Sequence, residues 1–598
     1  MALMLRTCLS IFFILSASFF VPNLLAFDLA KNGKASATVV IHGDAGIAVK
    51  HNAKIFVKYL STITGADFEI SDGVVPAFGN VILLGAPYPS KRFEEISIRL
   101  TQPNLLVVTG EGTRGPVYAM YRLLEYFGCY FWAPGNETVP SKKDLSLPQN
   151  FKLVDAPVFQ FRQPLGASTY SRDWRSKNYI NGDMNMLHSE STPEMGGPYE
   201  MAMSRQWLYG IPCDDKAKYA MESNPEWFAW RSGAKARTHL GLCFTNTKLL
   251  DVVVEKIKAD QAKRPGPRYY SCSYHDNDKY CQCKTCVKLI RKEGSPSALL
   301  VYAANYIGKA IAKDCPEAKI ICLAYWISLH PPKRLKTEPN VHIAVANPRD
   351  YTKRPSDNAE YWNAIRSWSK ITGGNIFIYD YNCNFTSMLT PTPIIDAMGP
   401  AFRDYMKADA KGIYQQMSMH RLGDFIDLRC WLFARLAWNP EQDEWKLIDQ
   451  WCDGACGAGS PFIKEWLRYS KRCIRGQAWH SYQRNTLRFF TGKDILTGYE
   501  LFQKAIKATK NDPKANAMVR KCYTSVLILM INHYNIDVVK RSKNMNISLP
   551  TREELLKTFE DSLVEFKVHD WMECAEGLKN DRFIEFMRKE KWLKPEWR

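Results

Sequence analysis

The fold is decided by two apolar runs and the segment between them: "VHIAVANP" (341–348), "NAEYWNAIRSWSK" (358–370) and "NIFIYDYN" (375–382). Each apolar run is short, rich in β-branched and aromatic residues, and ends in polar side chains, as buried parallel strands do. The middle segment places apolar residues three or four positions apart, which is the spacing of an amphipathic helix. The pattern predicts two parallel strands joined by a crossover helix.

The same pattern repeats on both sides of this unit. Further apolar runs occupy residues 158–163, 185–189, 239–246, 269–276, 319–326 and 412–418, with helical segments between most of them. Eight strands alternating with helices over about 250 residues are typical of a (β/α)8 barrel. We therefore predict an α/β fold with a TIM-like barrel over residues 156–440, in which the irregular stretch 190–238 is an insertion.

Different patterns flank the predicted barrel. Residues 27–155 combine short β-type runs with two helical segments, one ending at Gly65 and one opening near Pro116, and predict an α+β N-terminal domain. After residue 440 the β-type runs stop and amphipathic segments follow, the last opening with the capping-box spacing Thr551-x-x-Glu554. Residues 441–598 therefore predict an α-helical C-terminal domain.

The first residues have the layout of a secretory signal peptide. Arg6 precedes an apolar run over residues 9–21, and a small residue, Ala26, follows. We expect residues 1–26 to be removed and the protein to be exported, to the periplasm or as a secreted protein. Because no later stretch approaches about 18 consecutive apolar residues, we expect no integral membrane segment in the mature chain.

Composition and charge distribution argue against nucleic acid as a partner. The formal net charge is +19, from 80 basic and 61 acidic residues, and the basic excess is spread along the chain. A diffuse positive surface suits an anionic polymer, and it is also an ordinary background charge. Nucleic-acid binding would require a clustered basic stripe on a known module, and the sequence contains neither. The sequence does not predict the oligomeric state.

Polar and aromatic side chains follow the predicted strands where a barrel places its active site. Aromatic rings stack on sugar rings, amides bind hydroxyl groups, and carboxylates transfer protons, so this set predicts an oligo- or polysaccharide substrate. The predicted substrate-binding residues are His275, Asn277, Tyr325, Trp326, Asn347 and Tyr381.

Four carboxylates are candidates for the chemistry of glycoside cleavage, which needs two carboxyl groups or one pair with help from the substrate. Asp276 and Asp380, at the ends of the fourth and seventh strands, are expected to face each other across the barrel. Alternatively, Asp276 acts with Asp278 or Glu293 to orient a substrate acetamido group. Asp276 is the first choice for the general acid. For each carboxylate, a helix cap or an ion pair is the structural alternative.

Three cysteines follow the fourth strand in the spacing Cys281-x-Cys283-x-x-Cys286. A structural zinc site needs four ligands, and the fourth would have to be His275 or a distant cysteine. A disulfide between two of the three is an alternative in an exported protein. We interpret them as structural cysteines that brace the loop, and expect neither a metal nor a cofactor.

Several motifs carry a family resemblance. The stretch "GTRGPVYAMYRLLEYFGCYFWAPGNETVP" resembles the domain that precedes the barrel in α-glucuronidase-like and hexosaminidase-like glycosidases. A second set resembles a bacterial family labelled a domain of unknown function, some of whose members are endo-β-N-acetylglucosaminidases acting on complex N-glycans. That set is "SYHDNDKYCQCKTC", "EGSPSALLVYAANYI", "LAYW", "IYDYNCNF" and "LRCWLFARLAWNP".

The resemblance implies a glycosidase barrel and carries over to individual positions. The matching residues are Asp276, Asn277, Cys281, Cys283, Cys286, Glu293, Asn305, Tyr325 and Asp380. The chain departs from the family pattern at His275, Asn224 and Arg205, where the pattern has asparagine, histidine and histidine. We therefore predict an exported glycoside hydrolase acting by carboxylate acid/base chemistry, with a β-N-acetylhexosaminide and substrate assistance as one form. The alternatives are an inactive glycan-binding protein and a glycosidase for uronic-acid or other anionic polysaccharides.

Overall fold

In the computed structural model of the chain, the described residues are 26–183, 193–196, 199–202, 221–274, 277–346, 349–482 and 489–568. Most of the predicted signal peptide and the predicted strand at 185–189 lie outside them.

The N-terminal part contains eleven strands and two long helices. A six-stranded sheet has the order β11-β6-β7-β5-β3-β4 and is flanked by the helices α1 (Ile47–Thr64) and α2 (Gly115–Tyr126). Gly65 ends α1 in the left-handed conformation at φ 74°, and Pro116 lies at the start of α2, as predicted. The strands are β1 (Ala26–Lys31), β2 (Lys34–Ala35), β3 (Ala37–Ile41), β4 (Ile70–Asp72), β5 (Asn80–Leu84), β6 (Ile96–Gln102), β7 (Leu105–Gly110), β8 (Tyr130–Ala133), β9 (Asn136–Thr138), β10 (Leu145–Pro148) and β11 (Lys152–Asp155).

A curled sheet of eight parallel strands forms the centre of the molecule. Its order is β12-β21-β20-β19-β18-β17-β14-β13, so spatial neighbours follow chain order. In addition, β12, the first of these strands in the chain, pairs with β21, the last. The strands are β12 (Phe161–Leu165), β13 (Gly182–Asp183), β14 (Tyr199–Ala202), β17 (Arg268–Ser271), β18 (Ala318–Ala324), β19 (Val341–Ala346), β20 (Ile376–Tyr381) and β21 (Gly412–Gln416). The mixed α/β class and the parallel, curled character of the sheet agree with the sequence prediction.

The pairing register defines the two faces of this sheet. Residues paired across neighbouring parallel strands share a face of the sheet. The strand pairing places Tyr381 beside Gln416 and Gln416 beside Leu165. These residues belong to the concave face, which we call the interior face. Deeper on the interior face, one apolar cluster closes the space between the strands: Phe161, Leu165, Tyr269, Ile321, Ala344, Phe377 and Tyr414.

The prediction that residues 239–246 form the third strand of this sheet is wrong. β16 (Ala236–Leu242) instead pairs antiparallel with β15 (Phe228–Arg231) in a separate two-stranded ribbon. Its residues are mostly exposed or half-buried, which suits a surface hairpin rather than a strand covered on both faces. The third place in the sheet belongs to β14, whose register partners are β13 and β17, so the prediction that the whole stretch 190–238 is an insertion is also wrong.

Helices cover the outside of the sheet and build the C-terminal part. The capping box predicted at Thr551 is confirmed, because its hydroxyl and amide both donate to Glu554, and the Glu554 amide donates back. In the described residues, no helix is long and apolar enough to cross a bilayer. The remaining helices are α3 (Arg172–Lys177), α4 (Thr247–Lys263), α5 (Lys284–Glu293), α6 (Ser297–Ile311), α7 (Ala359–Thr372), α8 (Met398–Lys407), α9 (Ile426–Trp438), α10 (Glu444–Cys456), α11 (Ser460–Cys473), α12 (Gly492–Ala508), α13 (Pro513–Asn532), α14 (Ile536–Asn544) and α15 (Arg552–Glu565).

A buried ionic network joins the N-terminal part to the curled sheet. Arg162 of β12 is completely buried and donates to the Glu94 carboxylate at 2.5 Å. Arg114 lies 3.3 Å from the same carboxylate, and Asn181 donates to both of its oxygens at 3.1 Å. The two parts are therefore fixed to each other by charge pairing as well as by apolar packing.

Candidate functional site

A row of aromatic rings leads from the interior face of the sheet to the surface, and we call it the aromatic ladder. Tyr414 lies 4.4 Å from Tyr379 between ring centroids, and Tyr379 lies 5.2 Å from Tyr381. Tyr381 contacts Phe385 at 5.6 Å, and Phe385 contacts Tyr482 at 4.9 Å. The ladder begins among buried rings near the carboxyl ends of β20 and β21 and ends at Tyr482, which is 54% exposed.

Polar groups accompany this ladder. The Tyr379 hydroxyl donates to the Gln416 side-chain oxygen at 2.7 Å, which fixes the amide orientation. Burial raises the pKa of Tyr381 well above its usual range, so its hydroxyl stays protonated and available as a donor. Buried aromatic rings with oriented hydroxyl and amide groups form a surface suited to sugar recognition.

Trp326 stands at the end of β18 in an unusual conformation. Its side chain is 56% exposed, and its backbone φ is 50°, in the left-handed region that non-glycine residues avoid. Tyr325 precedes it and is half-buried. A large exposed ring held by a strained backbone at a strand end is a feature of ligand-binding sites. Trp326 is therefore exposed and accessible at the carboxyl end of β18.

The expectation that Asp380 faces Asp276 across the barrel interior is wrong, because Asp380 does not lie on the interior face. Its register partner is Gln415, on the opposite face from Tyr381 and Gln416, and Gln415 donates to its carboxylate at 3.2 Å. Arg349 lies 3.5 Å from the same carboxylate, and both side chains are almost completely buried between the sheet and the helices. Strand alternation directs Tyr379 and Tyr381 inward and Asp380 outward.

Glu293 also has the contacts of a structural carboxylate. It is buried at the end of α5 and accepts the backbone N–H groups of Arg334 and Leu335 at 2.8 and 3.1 Å. Asn305, carried over by the resemblance, holds the same loop by accepting from the Glu338 amide at 2.9 Å. The geometry assigns both side chains to loop anchoring rather than to the interior face.

Asp278 and Asn277 lie in the loop after β17. Asp278 is exposed and pairs with Lys279, whose hydrogen bond lowers the pKa of the carboxyl. Asn277 accepts from the Lys279 amide at 2.7 Å and donates to the Leu240 carbonyl at 3.1 Å. Both are engaged within the loop and the neighbouring ribbon.

Three predicted site residues, His275, Asp276 and Asn347, lie outside the described residues. Among the interior-face residues whose side chains are described, none is a carboxylate. The described part of the site thus supplies aromatic and amide groups. The assignment of the acid/base role to Asp276 stays a prediction.

Sequence reasoning predicted Tyr381 but missed the other rings of the aromatic ladder and the buried His420 after β21. Burial lowers the pKa of His420 to about 4, so its imidazole is neutral near pH 7. His420 lies four residues beyond the end of β21, whereas Tyr482 comes from far along the chain. The alternation of tyrosine and aspartate at 379–381 was a usable signal for the inward tyrosines.

A fourth cysteine joins the three predicted structural cysteines. The sulfur of Cys243 lies 3.9 Å from that of Cys283 and 3.8 Å from that of Cys286, and all four sulfurs, with Cys281, lie within 4.8 Å of one another. Hydrogen bonds from the thiols of Cys281 and Cys286 lower the pKa of Cys243. The expectation of no metal site was based on three ligands, and the structure supplies four.

A cavity of about 400 Å³ lies in the N-terminal part, and Pro193 and Gly196, shortly before β14, complete its lining. It is lined by the loops after β3, β5 and β7, mainly by glycine, alanine and proline. Asp44 is the single carboxylate among its described lining residues. The cavity therefore does not offer the paired carboxyl groups of a glycosidase.

Residues 131–468 match the protein family described as a domain of unknown function, DUF4838. Among proteins with curated descriptions, none matches this sequence.

Solved structures similar to this chain include glycoside hydrolases. The structure of BtGH115A, described as a GH115 4-O-methyl-α-glucuronidase with specificity for decorated arabinogalactans, has 13% identity and a TM-score of 0.61, covering 95% of this chain and 80% of its own. CpGH84B has 11% identity and a TM-score of 0.47, covering 94% and 97%. The Streptomyces plicatus N-acetyl-β-hexosaminidase has 12% identity and a TM-score of 0.38, covering 71% and 90%. The first similarity establishes a shared fold, and the other two are too distant to carry an argument.

Proposed function

The chain belongs to the DUF4838 family, whose match covers more than half of it, and we propose that it is a glycoside hydrolase acting on an oligo- or polysaccharide. The observation that carries this proposal is the aromatic ladder at the carboxyl ends of a curled parallel sheet. Barrel enzymes place their active sites at those ends, and stacked aromatic rings bind the apolar faces of sugars. The fold shared with BtGH115A supports the same reaction class.

Asp276 is the proposed general acid, or the carboxylate that orients a substrate acetamido group. It follows β17 in the sequence, and four residues separate it from Cys281. A carboxyl group acting as acid must hold its proton near neutral pH, so this proposal requires a pKa raised by the surroundings. Trp326, Tyr381 and Gln416 would bind the sugar next to it.

We further propose that the parallel sheet closes into a complete (β/α)8 barrel. β12 and β13 are the two edge strands of the described sheet, and they are close neighbours. The Arg162 amide donates to the Asn181 side chain at 3.0 Å, and a Cβ on Gly182 would lie 2.6 Å from Cβ of Gln163. The proposal keeps the predicted domains, 27–155, 156–440 and 441–598, and includes export to the periplasm or medium.

Two substrate classes fit the site. A β-N-acetylhexosaminide cleaved with substrate assistance requires one orienting carboxylate, which suits a site with Asp276 as its main acid. An anionic glycan containing uronic acid suits the net charge of +19 and the activity described for BtGH115A. A common panel of substrates therefore has to include both classes.

A non-hydrolytic glycan-binding protein is the second candidate function. The observation that favours it is that the described interior-face side chains include no carboxylate. On this alternative the aromatic ladder and Trp326 bind glycan, and no bond is cleaved.

The test is turnover of β-N-acetylglucosaminides, uronides and native glycans by wild type, Asp276→Asn and Trp326→Ala. The proposal expects hydrolysis by wild type and a loss of about 10²–10⁴-fold in Asp276→Asn with binding retained, as one acid/base group contributes that much. Trp326→Ala should weaken binding instead. Glycan binding by wild type without turnover would establish the second candidate, and a modest loss in Asp276→Asn would remove that residue from the acid role.

A further inference from the structure

We propose that Cys243, Cys281, Cys283 and Cys286 bind a structural zinc ion. Four thiolates around zinc, each about 2.3 Å from the metal in a tetrahedron, place their sulfurs about 3.8 Å apart. The sulfur of Cys243 lies 3.8 Å from that of Cys286 and 3.9 Å from that of Cys283. All four sulfurs lie within 4.8 Å of one another, so one ion could contact them together.

The donor set identifies the kind of site. Four cysteine sulfurs complete the coordination of zinc and leave no position for water or substrate, which is the pattern of structural sites. Three of the four side chains are buried and the fourth, Cys283, is half-buried. A disulfide would bring two sulfurs to about 2.05 Å, and all four cysteines are free.

Hydrogen-bond donors and the N-terminus of a helix surround the four sulfurs. Cys283 is the N-cap of α5 and Cys286 lies in its first turn, where the helix dipole stabilises negative charge. The Trp230 amide donates to the Cys281 sulfur at 3.3 Å, and the Thr245 hydroxyl lies 3.1 Å from the Cys286 sulfur. Binding Zn²⁺ would release four thiol protons and leave a complex with a charge of −2, which these donors partly offset.

The cluster joins two parts of the chain that are distant in sequence. Cys243 directly follows the ribbon strand β16, and the other three cysteines follow β17. The Gln282 amide donates to the Trp230 carbonyl at 2.7 Å, and a Cβ on Gly241 would lie only 2.0 Å from the Lys279 carbonyl oxygen. The ion would therefore lock the ribbon onto the loop that leaves the fourth parallel strand.

Metal analysis of the full-length protein, purified without added metal or chelator, tests the proposal. We expect about one zinc per chain, with cysteine alkylation at the four positions slow until a chelator is added. The zinc content per chain should fall at least tenfold in Cys243→Ser. Cys315→Ser, which removes a buried cysteine outside the cluster, should keep the wild-type zinc content. Replacement by Co²⁺ should produce the thiolate charge-transfer absorption of a tetrahedral cobalt site.

Several results would overturn the inference. Wild type that contains no zinc and takes up none when one equivalent is supplied would do so, as would iron in its place. Disulfides among these cysteines in peptides from the native protein would also refute it. Because Cys243→Ser could fail to fold, the wild-type zinc content and the cobalt spectrum decide the matter without that variant.

Discussion

Replacing Asp380 by asparagine separates a structural role of this carboxylate from a catalytic one. Asp380 and Arg349 are each 2% exposed, 3.5 Å apart, so removing the negative charge leaves a buried guanidinium without its counter-charge. Removing one partner of a buried ion pair costs about 3–5 kcal/mol. Arg349 keeps a hydrogen bond to the Lys353 carbonyl at 2.9 Å and a ring contact with Tyr351 at 4.4 Å. We therefore expect a loss near the lower limit, about 3 kcal/mol.

Urea unfolding followed by tryptophan fluorescence and circular dichroism measures this loss as a shift of the midpoint. Turnover per folded molecule, once a substrate is identified, should stay close to the wild-type value. Asp278→Asn is the matched control, since Asp278 is an exposed carboxylate of the same predicted catalytic set, and its midpoint should not move. An unchanged midpoint for Asp380→Asn together with a fall in turnover of about 10²–10⁴-fold would refute the structural role.

Two further predictions concern buried charged and titratable groups. Glu94→Gln leaves Arg162 and Arg114 buried without their counter-charge, so we expect a loss of about 3–5 kcal/mol in urea unfolding. Burial, with Lys319 nearby, lowers the pKa of His342 to about 4, below the value of about 6.5 in the unfolded chain. Between these values the unfolded chain binds more protons, so stability is full above about pH 6.5 and falls by about 3 kcal/mol towards pH 4.

Each of these predictions has a matched control. Asp561→Asn removes an exposed carboxylate paired with Lys557 and should cost no more than about 0.5 kcal/mol. If Glu94→Gln lowered the free energy of unfolding by no more than Asp561→Asn does, the stabilising role of the buried Glu94 network would be contradicted. His342→Gln should flatten the dependence of stability on pH relative to wild type, whereas His51→Gln, at an exposed position, should not. Parallel profiles for wild type and His342→Gln would show that His342 does not titrate as described.

Local patterns explain which elements could be predicted. The strands at 341–346, 376–381 and 412–416 and the helices ending at Gly65 and starting after Thr551 follow from short-range periodicity and from caps. The third strand could not be predicted in the same way. The run at 239–246 has strand-like composition, but composition does not show whether a strand is covered on both faces or stands in a surface hairpin.

The α/β class, the alternation of strands and helices, and the polar and aromatic residues after the strands could all be predicted from the sequence alone, because these features depend on near neighbours in the chain. Which of these side chains meet depends on the tertiary fold. Register directed Asp380 towards the helices and Tyr381 towards the interior, since adjacent residues of a strand point to opposite faces. The tertiary fold also brings Cys243 next to Cys286, 43 positions away in the sequence. This contact depends on the packing of a distant ribbon onto a loop, which no local sequence pattern predicts.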